Sequence, residues 1–179
     1  MDAPCAGMAA AAIMEYQIIV SRAIDPQKAA VLTIGSVQAG SDNNVIPAMA
    51  LVKINLRWFD EKDRKLMIDG IKRINDGIAG AYGLPKEMYP EMIMKGWAYP
   101  LDNSDTLTAW VVNGVKAFVA DNKILKEDRL PAVMGSEDFH HLVIHNAKKN
   151  YCYINVGIAN PEIFAAAIKE GKQLPFNAH

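Results

Sequence analysis

Apolar and polar residues alternate along one stretch of this chain and recur at helical spacing along the next. From Ala48 to Phe59 every second residue is apolar, which predicts a β-strand with one buried face and one polar face. After Asp60, a residue suited to cap a helix, apolar residues recur every three or four positions until Gly83. The sequence therefore predicts a half-buried strand followed by an amphipathic helix, whose apolar stripe consists of Met67, Ile71, Ile74, Ile78 and Tyr82.

The first half of the chain has the element order of a small α+β domain. Residues 4–23 are rich in Ala and Met and predict a helix, while residues 30–37 and 87–97 predict strands before and after the pair described above. The order helix, strand, strand, helix, strand lacks only a leading strand to be the ferredoxin-like β-α-β-β-α-β arrangement. That strand is central in this topology, so its absence would expose hydrogen-bonding edges. The pattern predicts that the chain starts too late for a complete domain.

The second half is poorer in strands. We expect a hinge at residues 97–100, a helix from Asn103 or Ser104 to about Asp121, and a short helix starting near residue 136. Residues 151–158 predict a buried strand, and residues 161–171 predict a helix that Gly171 ends. One strand is too little for an independent domain, so this half is expected to belong to a larger α/β sheet.

Composition excludes several classes of protein. The 179 residues carry a net charge of −1 and are 51% hydrophobic, without a basic run that would favour nucleic acid or an anionic membrane. The two cysteines, Cys5 and Cys152, lie too far apart for a zinc finger and are too few for a disulfide framework. No apolar run approaches the ~20 residues of a membrane span. A cytoplasmic protein is the expectation, although an upstream segment could have carried a signal peptide.

Three short motifs carry the chemical information of the chain. The motifs are Asn44-Val45-Ile46-Pro47 with Arg57 after it, Met134-Gly135-Ser136-Glu137-Asp138-Phe139, and His179. Their order and approximate spacing resemble the back half of the zinc-dependent aminoacylase and carboxypeptidase-type amidohydrolases, closest to the hippurate-hydrolase-like or auxin-conjugate-hydrolase-like branch. In that family a ferredoxin-like lid domain is inserted into a zinc-binding α/β catalytic domain. The resemblance implies that residues 1–98 are the lid and dimerisation domain, lacking its first strand, and that residues 99–179 are the C-terminal part of the catalytic domain.

Asn44 and Arg57 are the candidate substrate-binding residues of the lid. The resemblance implies that the Asn44 amide reaches the active site, where an N–H group can stabilise a developing oxyanion. Asn is equally common in a polar turn of this kind. Alternation places Arg57 on the open face of the strand, where a guanidinium can bind the carboxylate of an N-acyl amino acid bidentately. An exposed surface arginine is the alternative for Arg57.

The remaining candidates lie in the second half. The resemblance makes Gly135, Ser136 and Glu137 part of a loop beside the active site that contacts substrate or supports the zinc site. Acidic residues at a helix start are also favoured by the helix dipole without any function. In the family a histidine at the position of His179 is a zinc ligand, although a terminal residue usually frays.

Most of the metal site expected in the family is missing from this sequence. A catalytic zinc ion needs about three protein ligands and an open position, with a carboxylate as base. The chain has no Glu-Glu pair and no histidine before His140. His141 and His145 are spaced to share a helix face, but no third ligand is apparent, so we expect ordinary surface or packing histidines. The parent enzyme is expected to hold one or two zinc ions, and this chain to hold none.

The function expected from the resemblance is that of a fragment of a metal-dependent amidohydrolase. The parent would hydrolyse the amide bond of a small N-acyl amino acid or a dipeptide-like substrate, and this chain alone would be inactive. The alternative is a non-catalytic dimerisation or substrate-binding module derived from that family, with homodimerisation through the lid domain. A ferredoxin-like RNA-binding domain is disfavoured, because Lys53 and Arg57 on the polar strand face have no matching pair of aromatic residues.

Overall fold

The computed structural model of the protein describes residues 4–119, 134–135, 138–145, 150–157 and 160–172. These residues form an α+β structure, and the sheet found in them has two strands. The chain divides into two units, residues 1–100 with 125–145 and residues 101–124 with 146–179. The elements are helix α1 (Cys5–Ile18) continuing as a π-helical turn (Ile19–Ala23), strands β1 (Val31–Ala39) and β2 (Ala50–Arg57), helix α2 (Glu61–Ala81), a 3-10 turn (Lys86–Met88), and helices α3 (Asp105–Val115), α4 (His140–Val143) and α5 (Pro161–Glu170).

Strands β1 and β2 form an antiparallel hairpin whose faces follow the predicted alternation. Ile34 pairs with Ile54 and Val37 with Val52, and a β-bulge interrupts the register between Ile34 and Ser36. Along β2 every second residue is partly buried and every other residue is exposed, which confirms the pattern derived from the sequence. The exposed positions form the open face of the hairpin, with Leu51, Lys53, Asn55 and Arg57 on β2.

The core of the first unit lies between the hairpin and helices α1 and α2. Met67 of α2 is completely buried, and Ile71, four residues later, is 4% exposed, as the predicted stripe requires. The π-helical turn brings Ile19 against α2 at Gly70, where a Cβ atom would lie 3.0 Å from Ile19 Cδ1. The close approach of the two helices therefore depends on a residue without a side chain at position 70.

The start of α2 is fixed by charge and by capping. The Asp60 carboxylate accepts a hydrogen bond from the backbone N–H of Lys62, 2.9 Å away, which confirms the predicted N-cap. This hydrogen bond, together with the Lys28 ammonium, lowers the pKa of the Asp60 carboxyl. Hydrogen bonds from Lys28 to Asp63 and Asp60 in turn raise the pKa of the Lys28 ammonium. The loop before β1 is thereby tied to the first turn of α2.

The predicted strand over residues 87–97 is wrong. Residues 86–88 form a 3-10 turn, and residues 89–100 have no regular secondary structure. Among the described residues, no backbone hydrogen bond pairs residues 90–100 with a neighbouring strand. The composition of this segment favours a strand, but a strand also needs a partner, and the hairpin leaves this segment without one. The segment is nevertheless anchored, because Met92 packs against the core of the unit.

The second unit contains α3 and α5. Ser104 caps α3 by accepting from Leu107 N, and the helix ends at Val115, whereas the sequence predicted it to continue to about Asp121. Helix α5 begins after its N-cap Asn160 and ends at Gly171, which has φ of 63° and confirms the predicted C-terminal stop. The short helix predicted near residue 136 starts at residues outside the described ones, and the observed single turn α4 covers residues 140–143.

The predicted buried strand over residues 151–158 is also wrong. Residues 151–157 have no regular structure, and Ile154 and Val156 are exposed. Tyr153 pairs instead with the Asn103 side chain, whose Oδ1 accepts from Tyr153 N at 2.7 Å and whose Nδ2 donates to Tyr153 O at 2.8 Å. An amide side chain here makes the two hydrogen bonds that a neighbouring strand would make, and the described residues of this unit supply no such strand.

No helix in the described part of the chain is long and apolar enough to cross a membrane.

Candidate functional site

Arg57 lies at the last position of β2, where it meets the loop that contains the acidic motif. Its Nη1 donates to the backbone oxygen of Met134 at 3.1 Å, and its Nε donates to Asn55 Oδ1 at 3.2 Å. The structure thus brings together Arg57 and the start of the loop to which Gly135 belongs. Gly135 is exposed, whereas Ser136 and Glu137 lie outside the described residues.

The environment of Arg57 suits an anionic group. Arg57 is exposed on the open face of the hairpin, and no carboxylate among the described residues forms an ion pair with it. Lys53 lies on the same face four residues earlier and adds a second positive charge. A guanidinium offers five N–H donors in a planar fork, of which the bonds to Met134 and Asn55 use two. Arg57 can therefore bind a carboxylate while it remains attached to the loop.

Asn44 lies in the connection between β1 and β2, at the other end of the hairpin. It is exposed and lines a shallow cavity of about 370 Å³ between this connection and the start of α1. Cys5, the first residue of α1, approaches the same connection, with its Sγ 3.5 Å from Ala48 O. The cavity walls are small or apolar residues, namely Pro4, Ala6, Gly7, Val45, Ile46 and Pro47 together with Asn43.

The hairpin separates Asn44 from Arg57 by almost the full length of a strand. Ala50 pairs with Ala39 next to the Asn44 connection, while Arg57 pairs with Val31 at the opposite end. Seven strand residues at 3.3 Å each span roughly 23 Å. The register therefore places the connection that holds Asn44 and the side chain of Arg57 at opposite ends of the hairpin.

The described residues do not form a zinc site. They contain no group of three or more His, Cys, Asp or Glu side chains placed to hold a metal ion. His140 is 2% exposed, with the rings of His141 and Tyr99 at centroid distances of 3.7 Å and 6.4 Å. Since a catalytic zinc ion needs about three protein ligands, the donor set found here does not fit one. His179 lies outside the described residues.

A cluster that the sequence did not reveal lies beside β2. The Arg64 guanidinium sits between Trp58 and Trp97, 5.5 Å from the centroid of each ring. Arg64 Nε and Trp58 Nε1 are both buried, and neither has a hydrogen-bond acceptor among the described residues. The cluster could not be derived from spacing, because Trp97 joins it from a segment that the sequence assigned to a strand.

Comparison with known proteins gives a consistent set of relatives. The chain is 34% identical over 131 residues to the N-acetyldiaminopimelate deacetylase of Streptococcus thermophilus strain CNRZ 1066, covering 73% of this chain and 33% of the relative. It is 31% identical over 135 residues to the protein of the same name from Lacticaseibacillus paracasei, covering 75% and 33%. The chain thus spans about a third of the length of the curated relatives it matches.

The structural comparison agrees at the level of the fold. A crystal structure from methicillin-resistant Staphylococcus aureus, assigned as an aminohydrolase, matches with a TM-score of 0.63 and 22% identity. The match covers 78% of this chain and 34% of that one. No family model matches the chain.

Proposed function

Because this chain belongs to the aminoacylase and carboxypeptidase-type amidohydrolases, the family of its N-acetyldiaminopimelate deacetylase relatives, we propose that it supplies the substrate-clamping part of such an enzyme. In this proposal residues 1–98 are a ferredoxin-like lid domain without its first strand, and residues 99–179 are a strip of a larger α/β catalytic domain. The reaction of the whole enzyme is hydrolysis of the amide bond of a small N-acyl amino acid or a dipeptide-like compound.

The observation that carries the proposal is the hydrogen bond between Arg57 Nη1 and Met134 O. It joins the open face of the lid hairpin to the loop of the acidic motif, although the two residues are 77 positions apart in sequence. A substrate carboxylate bound by Arg57 would lie against the start of this loop, and from the family resemblance we assign Gly135, Ser136 and Glu137 to the same site. The absence of a Cβ at Gly135 allows the backbone to approach the substrate closely.

We assign Asn44 to a substrate molecule other than the one that Arg57 of the same chain binds. Since roughly 23 Å of strand separates it from Arg57, the two side chains of one chain serve different substrate molecules. We assign the Asn44 amide to the oxyanion of a substrate held by a second copy in a homodimer formed by lid domains. An amide N–H aimed at a developing oxyanion stabilises a tetrahedral intermediate.

Catalysis is assigned to residues that this chain does not provide. Amidohydrolases of this family are generally metal-dependent, and for the parent enzyme we propose one or two zinc ions, with His179 as one ligand. The described residues contain no donor set that fits such a site. This chain is therefore proposed to bind the substrate carboxylate without hydrolysing the amide.

The experiment is a binding titration with hippurate, the N-benzoyl derivative of glycine, followed by NMR. We expect Arg57→Ala to weaken binding by about tenfold to about a hundredfold, because a charge-assisted hydrogen-bonded pair contributes about 1.5–3 kcal/mol. Arg57→Lys is expected to recover only part of this loss, since an ammonium lacks the planar fork. Lys53→Ala removes a cation from the same strand face and is the matched control, with binding expected to change less than about twofold.

A result in which Lys53→Ala weakens binding as much as Arg57→Ala would contradict a specific role for Arg57. A second candidate function is a non-catalytic assembly module, which is favoured by an outer edge of β2 that pairs with no strand among the described residues.

A further inference from the structure

Residues 89–97, the extended segment, run along α2 from its last turns to its first. At one end the Tyr89 hydroxyl lies against Gly80, where a Cβ atom would be 3.2 Å away. At the other end the ring centroid of Trp97 lies 5.5 Å from the Arg64 guanidinium. The helix between Gly80 and Arg64 is about 24 Å long, and an extended chain from Tyr89 to Trp97 is about 26 Å long. Because the two lengths agree, the extended segment has almost no slack between its anchors.

The anchor at Arg64 lies where β2 ends and α2 begins. The Arg64 guanidinium is 5.5 Å from the ring centroid of Trp58 as well as from that of Trp97. It also forms an ion pair with Glu61, whose Oε2 is 3.4 Å from Arg64 Nη1. Only 20% of the Arg64 side chain is exposed, and removal of water from a cation strengthens its attraction to aromatic rings. Arg64 therefore links the extended segment to Trp58, the residue that directly follows Arg57.

A second set of contacts leads from the extended segment to the loop of the acidic motif. Tyr99 lies two residues after Trp97, and its ring centroid is 6.4 Å from that of His140, a distance at which aromatic rings interact. His140 is 2% exposed, so this contact lies in the protein interior. His140 is also only six residues after Met134, whose backbone oxygen accepts from Arg57 Nη1. These contacts, all within the first unit, close a ring that starts and ends at Arg57.

We propose that Arg64 is a positioning residue for the candidate carboxylate site at Arg57. By holding Trp97, the guanidinium fixes the neighbouring Tyr99 and its contact with His140. That contact sets where the loop of the acidic motif meets Arg57. Contiguous packed side chains carry coupling of this kind, and a segment with almost no slack transmits it. Arg64 itself does not touch the substrate, and the inference rests on the proposed function for the carboxylate that Arg57 binds.

The test compares hippurate binding, followed by NMR, between the unaltered chain and variants of Arg64. Arg64→Met removes the cation but keeps an unbranched side chain, and we expect binding to weaken about fivefold because the displaced loop no longer holds Arg57 in place. Arg64→Lys keeps a cation near the rings and is expected to lose only about twofold. Arg73→Met removes the same charge from an exposed position of α2 and is the matched control, with an expected change below about 1.5-fold.

Trp97→Leu provides a second variant that breaks the same contact. Trp97 is 47% exposed, so its replacement leaves the core of the unit intact. We expect about fivefold weaker binding, with no further loss when Trp97→Leu is combined with Arg64→Met, since residues that act through one contact are not additive. In Arg57→Ala, adding Arg64→Met is expected to change affinity by less than about 1.5-fold. Additive losses, or equal affinities of Arg64→Met and Arg73→Met, would overturn the proposal.

The NMR signals of the Arg57 guanidinium give a readout that needs no ligand. Arg64→Met is expected to shift the Arg57 Nε–H and Nη–H signals, because the hydrogen bond to Met134 changes, whereas Arg73→Met is expected to leave them in place. A merely structural role of Arg64 would lower the melting temperature without moving these signals, and that result in a folded variant would contradict the positioning role. Failure of the unaltered chain to bind hippurate would contradict the proposed function, while the Arg57 signals would still decide the role of Arg64.

Discussion

At the scale of single residues, one polar pair lies within the apolar contact between α1 and α2. The Tyr16 hydroxyl, in a side chain 4% exposed, donates a short hydrogen bond to Asn75 Oδ1 on α2. Burial raises the pKa of the Tyr16 hydroxyl above its ordinary value, although the bond to Asn75 acts in the opposite direction. The pair fixes the rotation of one helix against the other, because neither partner can leave without an unsatisfied polar group in the core.

Replacing Tyr16 tests this pair. Tyr16→Phe leaves Asn75 Oδ1 without its donor, and we expect a loss of about 1–3 kcal/mol in the free energy of unfolding. Since the folded pKa of Tyr16 is raised, its neutral form is favoured in the folded state, and stability is lost as pH rises past the ordinary value of about 10. The difference between wild type and Tyr16→Phe should thus be widest near neutral pH and narrow above about pH 10, as measured by urea unfolding. A difference that does not change with pH would contradict the burial of a titrating hydroxyl.

For the candidate site, the sequence predicts the position of Arg57 on its strand but not the residue that Arg57 contacts. The open-face position of Arg57 follows from strand alternation, which is local and therefore readable from the chain. The contact of Arg57 with Met134 is not readable in this way, because it joins residues 77 positions apart through a single backbone oxygen. The separation of Asn44 from Arg57 follows from the hairpin register rather than from sequence spacing.

At the scale of elements, two of the three glycines of α2 lie in contrasting environments. Gly70 faces Ile19 so closely that a Cβ atom would lie 3.0 Å and 3.1 Å from two of its side-chain atoms. Gly77 is exposed on the same helix, and a Cβ atom there would meet nothing within 4 Å. Alanine substitutions at Gly70 and Gly77 therefore separate the effect of helix propensity on stability from the effect of packing.

We expect Gly77→Ala to stabilise the protein by about 0.5–1 kcal/mol, the usual gain of alanine over glycine within a helix. Gly70→Ala gains the same helix propensity, but its methyl group would press against the buried Ile19. Because overpacking costs about 1–3 kcal/mol, we expect a net loss of stability for this variant. Thermal unfolding of both variants measures the contrast. Equal stabilisation by the two substitutions would show that the helices are not in contact at position 70.

Elements also differ in how far the sequence determines them. The segments that formed β2 and α2 carry both their periodicity and their caps locally, and both were predicted within about two residues. Residues 87–97 and 151–158 have strand-like composition but are not strands. A strand forms only when a neighbouring strand pairs with its backbone. The backbone of Tyr153 is hydrogen-bonded by the Asn103 side chain instead, and residues 90–97 have no strand partner among the described residues.

At the scale of the whole molecule, the chain is related to a family of enzymes but spans only part of the length of its relatives. It aligns with about a third of the N-acetyldiaminopimelate deacetylase of Streptococcus thermophilus. Its described residues hold a cationic face suited to a carboxylate but no cluster suited to a metal. Under the proposed function, this chain binds the substrate carboxylate and other residues of the enzyme cleave the amide bond.

We expect the purified chain to retain less than one zinc ion per molecule after dialysis and to show no chelator-sensitive hydrolysis of hippurate. The reason is that a catalytic zinc ion needs about three protein ligands, and the described residues supply no such group. Zinc content is measured by atomic absorption and turnover by release of glycine. The full-length S. thermophilus relative, assayed on N-acetyldiaminopimelate, is the positive control. Hydrolysis of hippurate by this chain that stops when a chelator is added would contradict the proposal that the chain binds the substrate without cleaving it.

The extended segment that anchors Met92 and Trp97 has one more consequence. Proteases bind their substrates as extended chains, and they prefer exposed backbone that no neighbour holds. Lys95 is exposed in the middle of this segment, which makes it the natural cleavage point for a trypsin-like enzyme. A single nick there would leave the hairpin and both of its helices covalently whole, while separating them from everything after residue 95.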